Sequence, residues 1–277
     1  MQAGDNEMQQ AVADDAQVEA IVEELMNGRG YYVLEDAYDA ATVAEARARI
    51  VELASLPPPD VDKKDALSVL AATDHVWNLI DKGAVFERMV QHPTVLAVFA
   101  RILGSEFKLG SYAARIQRPG AEGQLPHLDY PYWDLYDRHT FPRNINTSFR
   151  MNCQVTVMLD DFTLENGATM VAPGTQLSGQ WPDKDAFYRQ MIQTTGRAGS
   201  AMLMTGLLWH GAGANRTDRP RVGLLGQFLP KFVKPMEDQL RSVRQEVIDR
   251  ASPTLRALLG VDYPYPQVLD TGAGAAY

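Results

Sequence analysis

The chain is short of cysteine, of basic charge and of long apolar runs, and each shortage removes a class of explanation. Cys153 is the only cysteine in 277 residues, so no intramolecular disulfide staples the fold. That fits a reducing compartment, and a cytoplasmic location is the expectation. Only 26 Lys and Arg stand against 35 Asp and Glu, a formal net charge of −9. A nucleic-acid partner is therefore not expected, because a phosphate backbone would be repelled rather than neutralised. No apolar stretch approaches the roughly 20 residues needed to span a bilayer. The start, Met1-Gln2-Ala3-Gly4-Asp5-Asn6-Glu7, lacks the basic end and apolar run of a signal peptide. No membrane partner is expected. Internal repeats and low-complexity tracts are missing as well.

What remains is an ordinary globular composition, 45% hydrophobic and 22% charged, with nothing that splits the chain. One domain over 1–277 is expected, in three parts. Residues 1–105 read mainly as helices: Val18, Ile21, Val22, Leu25 and Met26 recur at helical spacing, and a short strand follows at Gly30 to Leu34. A second helix spans Ala40 to Leu53, and a third pattern runs from Val85 to Leu103 with a break at Pro93. From 106 to 230 the texture becomes short strands between turns: Gly110–Gln117, Asn152–Leu159, Ala168–Val171, Ser200–Met204 and Arg221–Phe228. Asn152–Leu159 alternates polar and apolar, as a half-buried strand does. Such strand density indicates a sandwich or barrel, mainly β with flanking helices. Residues 231–277 return to helix, Met236 to Ile248 and then a start at Ser252-Pro253, before a glycine- and alanine-rich tail.

Chemistry concentrates at His127-Leu128-Asp129, answered by His210 81 residues after Asp129 and by Arg221 eleven further on. Two imidazoles and one carboxylate form the facial ligand set of non-haem Fe(II), which leaves the opposite face of the metal open. In an extended chain residues i and i+2 point to one side, so His127 and Asp129 can share a metal while Leu128 turns away. Pro126 favours extended backbone at Leu125. His210 is expected at the end of an apolar strand, Leu207-Leu208-Trp209. An arginine shortly after the second histidine suits a bidentate grip on a dicarboxylate co-substrate. Arg219 competes with Arg221 for that place, but Arg221 begins the apolar strand whereas Arg219 sits in the turn before Pro220.

Two further segments carry a resemblance. Asp160-Asp161-Phe162-Thr163-Leu164-Glu165-Asn166-Gly167-Ala168-Thr169, then Val171-Ala172-Pro173-Gly174-Thr175, resembles the signature of the phytanoyl-CoA dioxygenase family. Arg118-Pro119-Gly120 before His127 is similar too; the likeness covers about residues 20–230, with its specific motifs in 115–230. The resemblance implies a double-stranded β-helix, a cupin-like jelly roll, using Fe(II), 2-oxoglutarate as co-substrate and O2. It implies His127, Asp129 and His210 as iron ligands and catalytic residues, Arg221 as partner of the co-substrate's far carboxylate, and Thr169 and Gln124 as its hydrogen-bonding neighbours. Related enzymes often place Ser or Thr two residues after that arginine, where this chain has Gly223. Related halogenases lose the carboxylate, so Asp129 favours oxidation over halogenation.

Two insertions, about 130–150 and 178–195, are expected as active-site lids. In the first, Tyr132, Trp133, His139, Phe141 and Arg143 are candidates to line a substrate pocket, or else to anchor the loop. Trp181 and Phe187 are wall candidates in the second, and His92 is expected at the surface. The resemblance implies a small-molecule substrate, oxidised by hydroxylation, desaturation, epoxidation or rearrangement in natural-product biosynthesis. A monomer or homodimer is expected. A Zn or Mn isomerase or hydrolase of the cupin type, and a non-catalytic cupin-like binding module, are the alternatives.

Overall fold

Residues 153–158 alternate in character, yet both faces of their strand are buried. The structure, a computed structural model, describes residues 13–56, 75–129 and 147–262. Within it β4 (Cys153–Met158) is buried at every position. Cys153, Val155 and Val157 pack into the large apolar core shared with the helices. Gln154 and Thr156 point to the other face and are buried as well. The alternation that suggested a half-buried strand therefore marks an interior polar face, because a second sheet shields it from solvent.

That second sheet has three strands and the first has six, all antiparallel. The larger runs in the order β1 (Tyr31–Leu34), β7 (Ala201–Thr205), β4, β9 (Arg221–Leu229), β3 (Lys108–Gln117), β2 (His75–Val76). The smaller runs β6 (Ile192–Thr194), β5 (Thr169–Val171), β8 (His210–Ala212). Together they make the jelly roll of a double-stranded β-helix, mainly β with helices on the outer face of the larger sheet. Register fixes which side chains look inward, since directly paired residues share a face. From the pairs Ser111↔Gln227, Gln154↔Gln227 and Gln154↔Met204, the inner set is Ser111, Gln227, Gln154 and Met204. Two residues at a time along the strands it continues to Arg115, Gly223 and Met158, then to Gln117 and Arg221.

The outer layer forms where the periodicity places it. α1 (Asp15–Met26) and α2 (Ala40–Ala54) begin at Asp14 and Asp39, whose carboxylates accept first-turn N–H groups. Their apolar stripes, Val18, Ile21 and Leu25, then Val43, Ala46 and Ile50, enter the core. Pro93 divides the third pattern into α3 (Ala84–Met89) and α4 (Pro93–Leu103). His92 is not at the surface but buried: its Nδ1 accepts from the Val95 N–H, and Nε2 lies 3.0 Å from the Ala37 carbonyl.

Two other expectations need correction. The 178–195 segment is not an open loop: it folds as α5 (Lys184–Gln190) and then β6, which pairs with β5. The helix expected over Met236 to Ile248 is two short ones, α6 (Gln239–Ser242) and α7 (Gln245–Arg250). Between them Val243 is extended, and Arg244 turns to Asp81, donating Nε to both carboxylate oxygens at 3.1 Å. α8 (Pro253–Leu259) starts at the Ser252 cap as its sequence indicates. Among the described residues no helix is long and apolar enough to cross a membrane.

Candidate metal centre

The triad assembles where the two sheets meet. His127 lies in an extended segment that joins β8 by a backbone bridge: its N–H donates to the His210 carbonyl at 2.9 Å, and its carbonyl accepts from the His210 N–H at 3.2 Å. His210 opens β8; Leu207–Trp209 is a turn, not the strand expected, because Leu208 N–H returns to Thr205 and Trp209 N–H to the Thr175 hydroxyl. Asp129 is fixed by its N–H, which donates to the Gly206 carbonyl at 3.0 Å. The three side chains each offer a ligand atom, all within 4.8 Å of one another. His127 Nε2 is 3.7 Å from Asp129 Oδ1, and His210 Nε2 is 3.6 Å from Oδ2.

Local hydrogen bonds set the imidazoles for coordination. Nδ1 of His127 lies 2.9 Å from the Leu125 carbonyl, and Nδ1 of His210 lies 2.8 Å from the Leu208 carbonyl. A carbonyl accepts only, so each Nδ1 carries the proton and each Nε2 lone pair is left for a metal. Leu128 and Trp209, the neighbours of these histidines, turn the other way and pack with Met170, Ala172 and Phe187 in one apolar cluster. Phe187 of α5 thus stands behind the histidines, with Trp181 packed against the same cluster. Trp209 is tied further by its Nε1–H to the Gln180 carbonyl, 3.0 Å.

Electrostatics agree with a cation site. Burial opposes the charge on Asp129, but the neighbouring His210 and His127 imidazoles and the Gln154 amide hold its carboxyl below the usual range. Burial, together with the charge of His210, pushes His127 down to about 4. Burial also works against a proton on His210, yet Asp129 outweighs it and raises that group. An ionised carboxylate facing two imidazoles, desolvated together, is the donor set that a divalent ion completes.

Arg221 lies on the same inner face and is 3% exposed. Its Nη2 donates to the Gly167 carbonyl at 2.6 Å, and its guanidinium lies 4.1 Å above the Phe162 ring. Nε has no hydrogen-bond partner. A buried guanidinium with an idle donor fits an anionic ligand absent from the fold itself. Burial, then repulsion by Arg115, bring Arg221 down to about 10. Arg115, paired with Gly223 and so diagonal to Arg221, also acts on His127, which puts positive charge between the triad and Arg221. Asp160 steadies the strand start, accepting from Val222 N–H at 2.8 Å and from Arg47 Nε at 2.6 Å. Gly167 turns with φ +82°, and a Cβ there would sit 2.5 Å from the Gly213 carbonyl oxygen.

Gly223 has a steric cause. A Cβ at this position would stand 2.9 Å from Phe162 Cζ, so the ring beneath Arg221 occupies the space a serine would need. Arg219, the competitor, is exposed. Thr169 is on the face of β5 shared with Val171, the partner of His210, and is itself opposite Ala212. Gln124 is half-buried, its N–H donating to the Ala212 carbonyl at 2.9 Å. Tyr132, Trp133, His139, Phe141 and Arg143 lie outside the described residues. A groove of about 620 Å³ between the edge strands β1 and β6, lined in part by Arg29, Tyr31 and Gln193, includes none of the triad. Gln154, Gln227, Arg115 and Phe162 carry no sequence signal as site residues. Inward-facing polar positions on β3, β4 and β9 become visible only once the register is known.

Comparison with known proteins agrees with this architecture. The family described as Phytanoyl-CoA dioxygenase (PhyH) matches residues 26–223. Dioxygenase cdmA of Talaromyces verruculosus is 29% identical over 250 residues, 86% of this chain and 81% of that protein. Dioxygenase andF of Emericella variicolor is 29% identical over 62% of this chain and 59% of its own length. The uncharacterised Mycobacterium tuberculosis protein Rv1501 is 25% identical, covering 86% and 85%. Among solved structures, the epimerase SnoN in complex with Fe3+, alpha ketoglutarate and nogalamycin RO superimposes with a TM-score of 0.60 at 20% identity, over 80% of this chain and 88% of that one.

Proposed function

Because the chain belongs to the phytanoyl-CoA dioxygenase family, whose members depend on Fe(II) and 2-oxoglutarate, we propose that it oxidises a small organic molecule in natural-product biosynthesis. Its cofactors are Fe(II) and 2-oxoglutarate, and it is an enzyme of the iron and 2-oxoglutarate type. The observation that carries the residue assignment is the convergence of His127, Asp129 and His210, with ligand atoms within 4.8 Å of one another and both Nδ1 atoms committed elsewhere. In this reading 1–277 acts as one oxygenase domain, with 106–230 as its catalytic part.

When bound, Fe(II) with 2-oxoglutarate and O2 supplies a two-electron oxidation, with succinate and carbon dioxide as co-products. His127 and His210 would hold the metal through Nε2, and Asp129 through its carboxylate. Arg221 would take the far carboxylate of 2-oxoglutarate with its idle Nε–H, and Thr169 and Gln124 would hydrogen-bond the co-substrate. The stacked Phe162 ring and the burial of Arg221 keep water from competing for the guanidinium. The retained Asp129 favours hydroxylation, desaturation, epoxidation or rearrangement over halogenation. A small-molecule substrate is supported by the nogalamycin RO in complex with the epimerase.

The test is anaerobic addition of Fe(II) and 2-oxoglutarate to the full chain, followed by air. A visible charge-transfer band, then succinate formation, is the expected result. Metal binding without either would overturn the oxygenase reading and leave the isomerase or hydrolase.

A further inference from the structure

Asp129 presents two unequal carboxylate oxygens. Oδ2 accepts from Gln154 Nε2 at 2.5 Å and from Gln227 Nε2 at 3.2 Å. The two glutamines are direct cross-strand partners on β4 and β9. Next along the same row, on β3, Ser111 donates its hydroxyl to Gln227 Oε1 at 3.3 Å, which turns the Gln227 amide nitrogen toward the carboxylate. All three side chains are buried. Polar groups in such a place are costly unless their hydrogen bonds are made, and here the bonds converge on one atom. A carboxylate oxygen offers about two lone-pair directions, so two amide donors saturate Oδ2. His210 Nε2 is 3.6 Å from Oδ2, beyond hydrogen-bond reach, whereas Oδ1 keeps its lone pairs and lies 3.7 Å from His127 Nε2.

We propose that Gln154 and Gln227 are positioning residues that hold Asp129 as a one-oxygen metal ligand, offering Oδ1 on the side of His127 Nε2. The inference rests on the reading of His127, Asp129 and His210 as the metal ligands. Released from the amides, the carboxylate can turn and offer both oxygens, taking a coordination place that a chelating co-substrate needs. Removing hydrogen-bond partners of metal ligands lowers metal affinity by about 10–100-fold in other sites.

The probe is Co(II) in place of Fe(II), titrated anaerobically into the full chain, with its d–d absorption as readout so that no turnover is required. Gln154→Met and Gln227→Met keep the side-chain length and remove the donors. The double variant is expected to bind Co(II) about tenfold or more weakly, with d–d bands displaced from those of the wild type. A folded double variant, with unchanged far-UV circular dichroism, whose affinity and bands match the wild type would overturn the proposal. If the double variant does not fold, each single variant is judged by the same two readouts. Wild-type Co(II) bands that survive His210→Ala would overturn the ligand assignment and the proposal with it. Bands that ignore 2-oxoglutarate would overturn the oxygenase reading alone, and the affinity comparison would still decide the role of the glutamines.

Discussion

His127 and His210 are hydrogen-bonded to each other through their main chains in both directions, at 2.9 and 3.2 Å, while their rings meet at a centroid separation of 4.4 Å. The backbone bridge does not depend on either ring. His210→Ala is therefore expected to lose stoichiometric Fe(II) while keeping the far-UV circular dichroism of the wild type. Metal analysis after anaerobic loading and desalting checks this; full iron retention would remove His210 from the ligand set.

Arg221 is buried and carries a donor, Nε, that the fold leaves idle. Arg221→Leu should weaken 2-oxoglutarate binding by about 2–5 kcal/mol, the range for truncating one partner of a buried, hydrogen-bonded charge pair. Arg221→Lys should fall between, since the charge remains and the planar fork is lost. Titration of 2-oxoglutarate into the Fe(II)-loaded protein measures both. Equal affinities for all three proteins would place the co-substrate elsewhere.

Gly223 and Phe162 share one volume. Gly223→Ser should cost roughly 1–3 kcal/mol of stability, the usual penalty of overpacking, because its Cβ would meet Phe162 Cζ at 2.9 Å. Shortening the ring as well, with Phe162→Leu, should recover part of that loss. Urea denaturation of the two variants against wild type decides it; a Gly223→Ser protein as stable as wild type would show that the ring yields freely.

These contacts mark where reading the sequence stops. His127, Asp129, His210 and Arg221 stand in motifs whose spacing carries their chemistry, and helix starts at Asp14, Asp39 and Ser252 follow local capping rules. Gln154 and Gln227 follow no local rule. Their meaning depends on the pairing of β4 with β9, between residues 73 positions apart. The polar half of β4 looked like a solvent face because nothing in those residues announces the covering sheet. The burial of His92 is hidden for a similar reason: its partner, the Ala37 carbonyl, is 55 residues away. The split at Val243 came from Arg244 reaching Asp81, again a distant residue.

His92 also gives a pH dependence. Burial lowers its pKa from 6.5, only partly offset by hydrogen bonds to the backbone. Below 6.5 the unfolded chain takes up a proton that the folded one resists, so this group's contribution to stability is complete above 6.5 and declines as pH falls through that value toward the lowered one. Denaturation midpoints measured from pH 7.5 down to 5 should decline, and less steeply in His92→Asn, which keeps a capping side chain. Parallel declines in the two proteins would assign the effect to other groups.

Leu128 and Trp209 share an apolar cluster with Phe187, so α5 lies against the backs of the two histidine-bearing segments. This bears on how the chain can diversify. Variation in 178–195 would register first as altered iron retention, and only afterwards as a new choice of substrate. Libraries built to broaden substrate range should leave Phe187 and its neighbours fixed. A relative that has accepted changes there would be expected to carry matching changes at 128 and 209, a covariation readable without any assay.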